Sequence, residues 1–146
     1  MTPTDTSCSI AATLDVVGDR WTHHNLRDLF RGVRRFGELA DDLGIARNLL
    51  ADRLNRLHEH GLVEKVPYQQ RPLRCEYRLT RKGADLSPAL IALMAWGDHW
   101  YAEAGPPVEL VHDTCGTPIE RQPRCPSCDV TVSPGHIRSR PGPGAG

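Results

Sequence analysis

No apolar run in this chain approaches the roughly 18 residues that a membrane-spanning helix needs, so no membrane partner is expected. The opening MTPTDTSC has neither the basic start nor the apolar stretch of a secretory signal. That removes Cys8 as a lipid-anchored residue and makes the cytoplasm the expected compartment. Internal repeats are missing, and so are catalytic signatures: there is no P-loop, no GxGxxG and no nucleophile–base constellation. Enzyme activity is therefore not expected. Net charge is lacking too, at a formal zero over 146 residues, which at first argues against a polyanionic partner.

The charge vanishes only as a sum. Residues 20–82 hold 14 Lys+Arg and 8 Asp+Glu, a net of +6, and the remainder of the chain carries −6. Screening in physiological salt acts over about 8 Å, so a polyanion responds to the local field rather than to the total. The hydrophobic content of 39% and charged content of 25% are those of a soluble globular chain. The length allows one compact domain with an appendage.

The stretch at 34–61, RRFGELADDLGIARNLLADRLNRLHEHG, reads as two helices around a tight turn at 42–45. Gly44 supplies the positive φ that the reversal needs. In the second helix Leu50, Leu54 and Leu57 share one face, with Asn48, Asp52, Asn55 and Glu59 opposite and Arg56 nearby. Arg47 and Arg53 lie on its flanks, and Arg34-Arg35 leads into the motif. An ordinary helical hairpin would give the same apolar pattern, but the segment after Gly61 argues against it. Two strand-like runs, at 62–69 and 75–80, flank a turn at 70–74 that carries Arg71 and Arg74. A hairpin that only packs a core has no need of guanidinium groups at its tip, whereas DNA phosphates and the minor groove attract them. The predicted class is α+β, a winged helix-turn-helix.

Upstream, a short helix is predicted over 9–17 with Ile10, Leu14 and Val17 at helical spacing, then a second helix from Trp21 to Phe30. Thr80 is a predicted N-cap. Beyond it lies a strongly apolar helix with Leu90, Ile91, Leu93, Met94, Trp96, Trp100 and Tyr101, which Pro88 kinks or breaks near Ser87. A small winged domain cannot bury so broad a face alone. The first and last helices are thus expected to form a dimer interface, the alternative being that the stripe is internal core. A dimer presents two recognition helices to a two-fold symmetric operator.

After Gly105 the composition shifts, and eight of the twelve prolines lie there. His112-x2-Cys115 and Cys125-x2-Cys128 are two knuckle-like pairs nine residues apart. Four such ligands suit a structural zinc ion, the one cofactor expected; His136 is an alternative fourth ligand and a disulfide the alternative chemistry. No neighbouring Glu or extra His offers the base that catalytic zinc requires. Cys75 falls in a strand and is read as structural. The expected divisions are a DNA-binding and dimerisation domain at 1–105, a Cys/His-rich, zinc-ribbon-like extension at 106–136 and a disordered tail at 137–146.

Several separated blocks, CSIAATLDVVGDRW (8–21), RRFGEL (34–39), LLADRLNRLHEHGLVEK (49–65) and the run from Pro72 through YRLT (77–80) to Lys82-Gly83, resemble the HxlR family of bacterial winged helix-turn-helix regulators. The resemblance implies a homodimer, most simply a repressor, joined through its first and last helices. Arg47, Asn48 and Arg53 would stand at recognition-helix positions and Arg71 and Arg74 on the wing; Arg35, Asp52 and Arg56 complete the DNA-binding candidates. Cys8 aligns with a cysteine that some relatives use to sense electrophiles or oxidants, although Cys8-Ser9 replaces the usual Cys-Pro. A thiol at a helix start is favoured as thiolate; the alternative is a half-buried cysteine acting as a small hydrophobe. Other relatives bind small aromatic effectors, for which Trp96, His99 and Trp100 are the candidate lining, if they are not simply core. Ala46 departs from the family's usual Ser or Thr. A knuckle that docks a protein partner is the reading from a different functional class.

Overall fold

The computed structural model describes residues 8–144. The N-terminal segment 1–7 and the last two residues of the expected disordered tail lie outside them. Two compact units result, one ending at Ser87 and one beginning at Pro88. This boundary lies beside Pro88, where a kink or break is predicted.

The first unit opens with α1 (Ser9–Val17) and α2 (Arg20–Phe30). Asp19 caps α2, its Oδ1 accepting the amide of Thr22 at 3.0 Å. Helix α3 (Phe36–Leu43) ends at Gly44, whose φ of 60° turns the chain into α4 (Arg47–Glu59). The Leu50, Leu54 and Leu57 face of α4 is fully buried, against a core supplied by Leu26, Leu29, Leu39, Ala40, Ile45, Leu62 and Val63. Helical periodicity alone dictated this contact, because only one stripe of α4 is apolar.

Strands β1 (Val63–Gln70) and β2 (Leu73–Leu79) form an antiparallel hairpin, with Val63 opposite Leu79 and Gln70 opposite Leu73. Pairing runs further than the sequence pattern suggested. The tip is only Arg71-Pro72, and Arg74 lies within β2 opposite Gln69 rather than in the turn. An irregularity between Pro67 and Gln69 absorbs one residue, which restores the register so that the ladder continues to the tip. Tyr77 donates its amide to the carbonyl of Arg34 at 2.8 Å, tying the hairpin to the segment that enters α3.

Thr80 caps the short helix α5 (Arg81–Ala84) as expected, accepting from the Gly83 amide at 3.2 Å. Gly83 is required there: a Cβ at this position would sit 2.1 Å from the carbonyl oxygen of Leu62.

The second unit contains most of α6 (Ser87–Tyr101), then two small hairpin turns. One is an isolated bridge between Val111 and Pro118. The other pairs β3 (Arg124–Cys125) with β4 (Val130–Thr131). None of the described residues of this unit is buried. Residues 137–144 contain neither helix nor strand.

Candidate nucleic-acid interface

Helix α4 presents an exposed stripe of Arg47, Asn48, Asp52 and Asn55 on the side opposite its buried leucines. Ala46 offers no side-chain cap, so the first turn of α4 leaves its amides uncapped from within. Lys65 of β1 donates to the Asn55 Oδ1 at 3.2 Å, bringing the strand's charge to the edge of the stripe. The Arg47 guanidinium sits 5.8 Å from the Phe36 ring centre, and that of Arg35 lies 4.2 Å from the centre of Tyr68. Stacked on rings, both cations are steered without being neutralised. Arg71 at the tip and Arg74 in β2 are exposed. Among the described residues, Arg35, Arg47, Arg71 and Arg74 make no ion pair.

Arg53 and Arg56 are differently engaged. The Arg53 Nε contacts the Asp19 Oδ1 at 3.0 Å and its Nη1 meets Asp52, with only 23% of the side chain exposed. Arg56 donates to the backbone carbonyl of Asp15 on α1. Both arginines point back into the unit and brace α4 against the helices behind it. Burial works against ionisation of Asp19, but hydrogen bonds from Thr22 and Arg53 outweigh it and hold the carboxyl below its ordinary range. Arg27 and Arg31 are likewise paired internally, with Asp28 at 2.9 and 3.3 Å. Burial, then the neighbouring Asp42 carboxyl, raises the Asp28 carboxyl above its ordinary value.

Sequence reasoning missed Asp19 as a clamp on α4. The signal was present, since Asp before a helix with Thr three residues on is an N-cap pattern. Its second partner, 34 residues away, carries no such mark.

Cys8 is exposed at the start of α1, where its carbonyl accepts the amide of Ala12 at 3.0 Å. Ile10 and Leu14 of α1 are 71% and 53% exposed. On α6, Leu93, Trp96, Trp100 and Tyr101 are between 56% and 73% exposed. Neither apolar stripe is core within its own unit.

The second unit brings Trp96, His99 and Trp100 together along a cleft of about 610 Å³, whose other wall is Ile119, Glu120, Arg121 and Gln122. Arg121 is held there by Asp98 at 3.2 Å. His112 Nδ1 lies 3.3 Å from Cys115 Sγ, and Cys125 and Cys128 share one turn. The hydroxyl and amide of Thr117, then His112, lower the Cys115 thiol to about 7. Amides of Cys128 and Ser127 lower that of Cys125. The two pairs do not meet, and among the described residues no three His, Cys, Asp or Glu side chains form a group that could hold a metal. His136, the alternative ligand, faces Ser133 instead, at 3.2 Å. Cys75 is half-buried in β2. No helix among the described residues is long and apolar enough to cross a membrane.

This arrangement has counterparts. The chain is 45% identical to the HTH-type transcriptional regulator Rv3095 of Mycobacterium tuberculosis over 137 residues, 93% of this chain and 87% of that protein. Its fold is similar to the crystal structure of PA1607, described as a transcription factor, with a TM-score of 0.83 and 39% identity over 93% of this chain and 96% of that one. The redox regulator HypR in its reduced form is similar at a TM-score of 0.60 and 29% identity, over 66% of this chain and 99% of that one. The family model for HxlR-like helix-turn-helix proteins matches residues 16–104. Matched over most of its length, from α1 through α6, this winged α+β chain belongs to the HxlR-like helix-turn-helix family.

Proposed function

We propose that the chain is a sequence-specific transcriptional regulator that binds double-stranded DNA as a homodimer and acts as a repressor. The observation that carries this reading is the exposed Arg47, Asn48, Asp52 and Asn55 stripe beside a wing bearing Arg71 and Arg74, the wing strand meeting the stripe through the Lys65–Asn55 hydrogen bond. Asn48 and Asp52 have the donor and acceptor groups to read base edges in a major groove. Arg35, Arg47, Arg71 and Arg74 supply phosphate contacts. Arg53 and Arg56 hold α4 in place rather than touch DNA. The cytoplasm, where the DNA is, is the matching compartment. Repression is the simplest consequence of occupying a promoter, which needs no separate activating surface.

Dimerisation through α1 and α6 is supported by the exposed apolar residues on each helix, which a lone chain leaves in water. Such a dimer would read a two-fold symmetric operator. Control by Cys8 is supported by its exposure at the start of a helix in that same interface, and by the likeness to HypR, a redox regulator by name. A second mode of control is a small aromatic effector seated between Trp96, His99 and Trp100, which the cleft favours.

Fluorescence anisotropy on DNA upstream of the protein's own gene tests this, with the protein reduced, then treated with a thiol oxidant, and with Cys8→Ser alongside. Binding should fall steeply with salt, be lost on oxidation and survive oxidation in Cys8→Ser. Loss on oxidation in both proteins would refute Cys8 as the switch. Binding that ignores salt would refute DNA recognition itself, and leave the second unit as a module for a protein partner.

A further inference from the structure

We propose that the second unit binds one structural zinc ion through His112, Cys115, Cys125 and Cys128, its two turns closing on the metal from either side. Three observations lead there, independent of the DNA-binding reading.

The first is a deficit. From Pro88 onward none of the described residues is buried. Chains of fewer than about 40 residues rarely hold a fold without disulfides, metals or a partner subunit. The segment after α6 is of that size and has regular hairpins with no core beneath them. Something other than burial must fasten it.

The second is the construction of each turn. In one, the amide of His112 donates to Thr117 at 2.8 Å and the amide of Gly116 to His112 at 2.8 Å, with Gly116 at φ 72°. This brings His112 Nδ1 to 3.3 Å from Cys115 Sγ. In the other, the Asp129 amide donates to Cys125 at 2.9 Å and Asp129 itself adopts a φ of 57°. That residue closes the turn that holds both Cys125 and Cys128. Each turn thus carries two ligand-type side chains at the spacing from which two ligands can bite one metal.

The third is the ligand set. Three cysteines with one histidine is a recurrent structural zinc complement. A disulfide would explain two of the cysteines and leave the third, and it would give no reason for His112 to sit against Cys115. The two pairs stand apart in the unliganded chain. The nine residues between Cys115 and Cys125 can extend to about 30 Å, so the covalent connection permits closure. All four side chains are at least partly accessible and need no unfolding to meet a metal. On binding, the three thiols release their protons to solvent and His112 ligates as neutral imidazole. The complex then carries one net negative charge. Four protein ligands leave no open position, so the ion is structural.

The test uses the full chain purified without a histidine tag. Zinc is quantified by mass spectrometry, and the metal-stripped, reduced protein is titrated with cobalt(II). One zinc per chain is expected, or one cobalt per chain with the visible absorption of a tetrahedral thiolate complex. Cys125→Ser and His112→Ala should weaken metal binding at least tenfold, while Cys75→Ser and Cys8→Ser leave it unchanged. Circular dichroism on each variant confirms that the first unit remains folded. The proposal is overturned if the wild type takes up neither ion above the Cys125→Ser background. It is equally overturned if metal binding is retained in full by Cys125→Ser, or if thiol counting shows a Cys125–Cys128 disulfide in protein kept under reducing conditions.

Discussion

Two arginines on one helix should answer opposite questions when removed. Arg47 stands exposed at the start of α4, while the Arg53 Nε lies 3.0 Å from the Asp19 carboxylate that caps α2. Arg53→Ala breaks a partly buried, charge-assisted contact worth about 1 kcal/mol, between the weak surface pairs and fully buried ones. Asp19→Ala loses that contact and the helix cap, itself about 1 kcal/mol, for a total near 2 kcal/mol. The double variant should cost about 1 kcal/mol less than the sum of the singles, because the shared contact is counted once. Arg47→Ala should change stability by no more than about 0.5 kcal/mol, yet lower the slope of log affinity against log salt by about 1. The assays are urea unfolding followed at a signal from the first unit, and anisotropy on DNA across a salt series. The Asp19 contribution has a defined pH sign. Its folded value is depressed, so the stabilisation is complete above the ordinary 3.8 and lost as pH falls through the lower folded value. The reasoning fails if Arg53→Ala unfolds like the wild type while losing a full unit of salt slope. Arg53 would then leave Asp19 for a phosphate, and the brace would be a resting position only.

Other outcomes rest on the same geometry. Gly83→Ala should destabilise the first unit by about 2 kcal/mol despite alanine's better helix propensity, since its Cβ meets the Leu62 carbonyl at 2.1 Å; a lowered urea midpoint with unchanged slope would show it. Asn48→Ala should relax discrimination at particular base pairs by about 1–3 kcal/mol, whereas Arg74→Ala should weaken all sequences evenly; a competition panel of single-base operator variants separates them. Leu14→Asp with Trp100→Asp should give a monomer in sedimentation while leaving helical content intact, because both side chains are exposed in the single chain.

Much of the first unit was legible in the residues. One apolar stripe on α4, a glycine at the turn and a threonine before α5 each have a local cause, and each appears where periodicity or capping placed it. The interface was legible as a composition but not as an assignment. Arg47 and Arg53 look alike in sequence, and only the approach of Asp19, 34 residues away, separates an exposed guanidinium from an internally paired one. Strand pairing also outran the pattern. Gln70, Leu73 and Arg74 have no strong strand preference, and their pairing is inherited from the register set further down the ladder. The second unit was least legible. Trp96 and Trp100 at helical spacing look the same whether they pack a core or wait for a partner, and burial alone tells the two apart.

The hydrogen bond from Tyr77 to Arg34 joins the wing to the entry of the helix-turn-helix. It makes the unit a calliper rather than a pair of fingers. A jaw of fixed opening responds to the distance between two contacts as well as to what each one touches. On the proposed DNA-binding reading, inserting one base pair, about 3.4 Å of duplex, between the groove under α4 and the step under Arg71 would move one contact off while the other stays seated. No chemical group at either end need change for the site to be rejected.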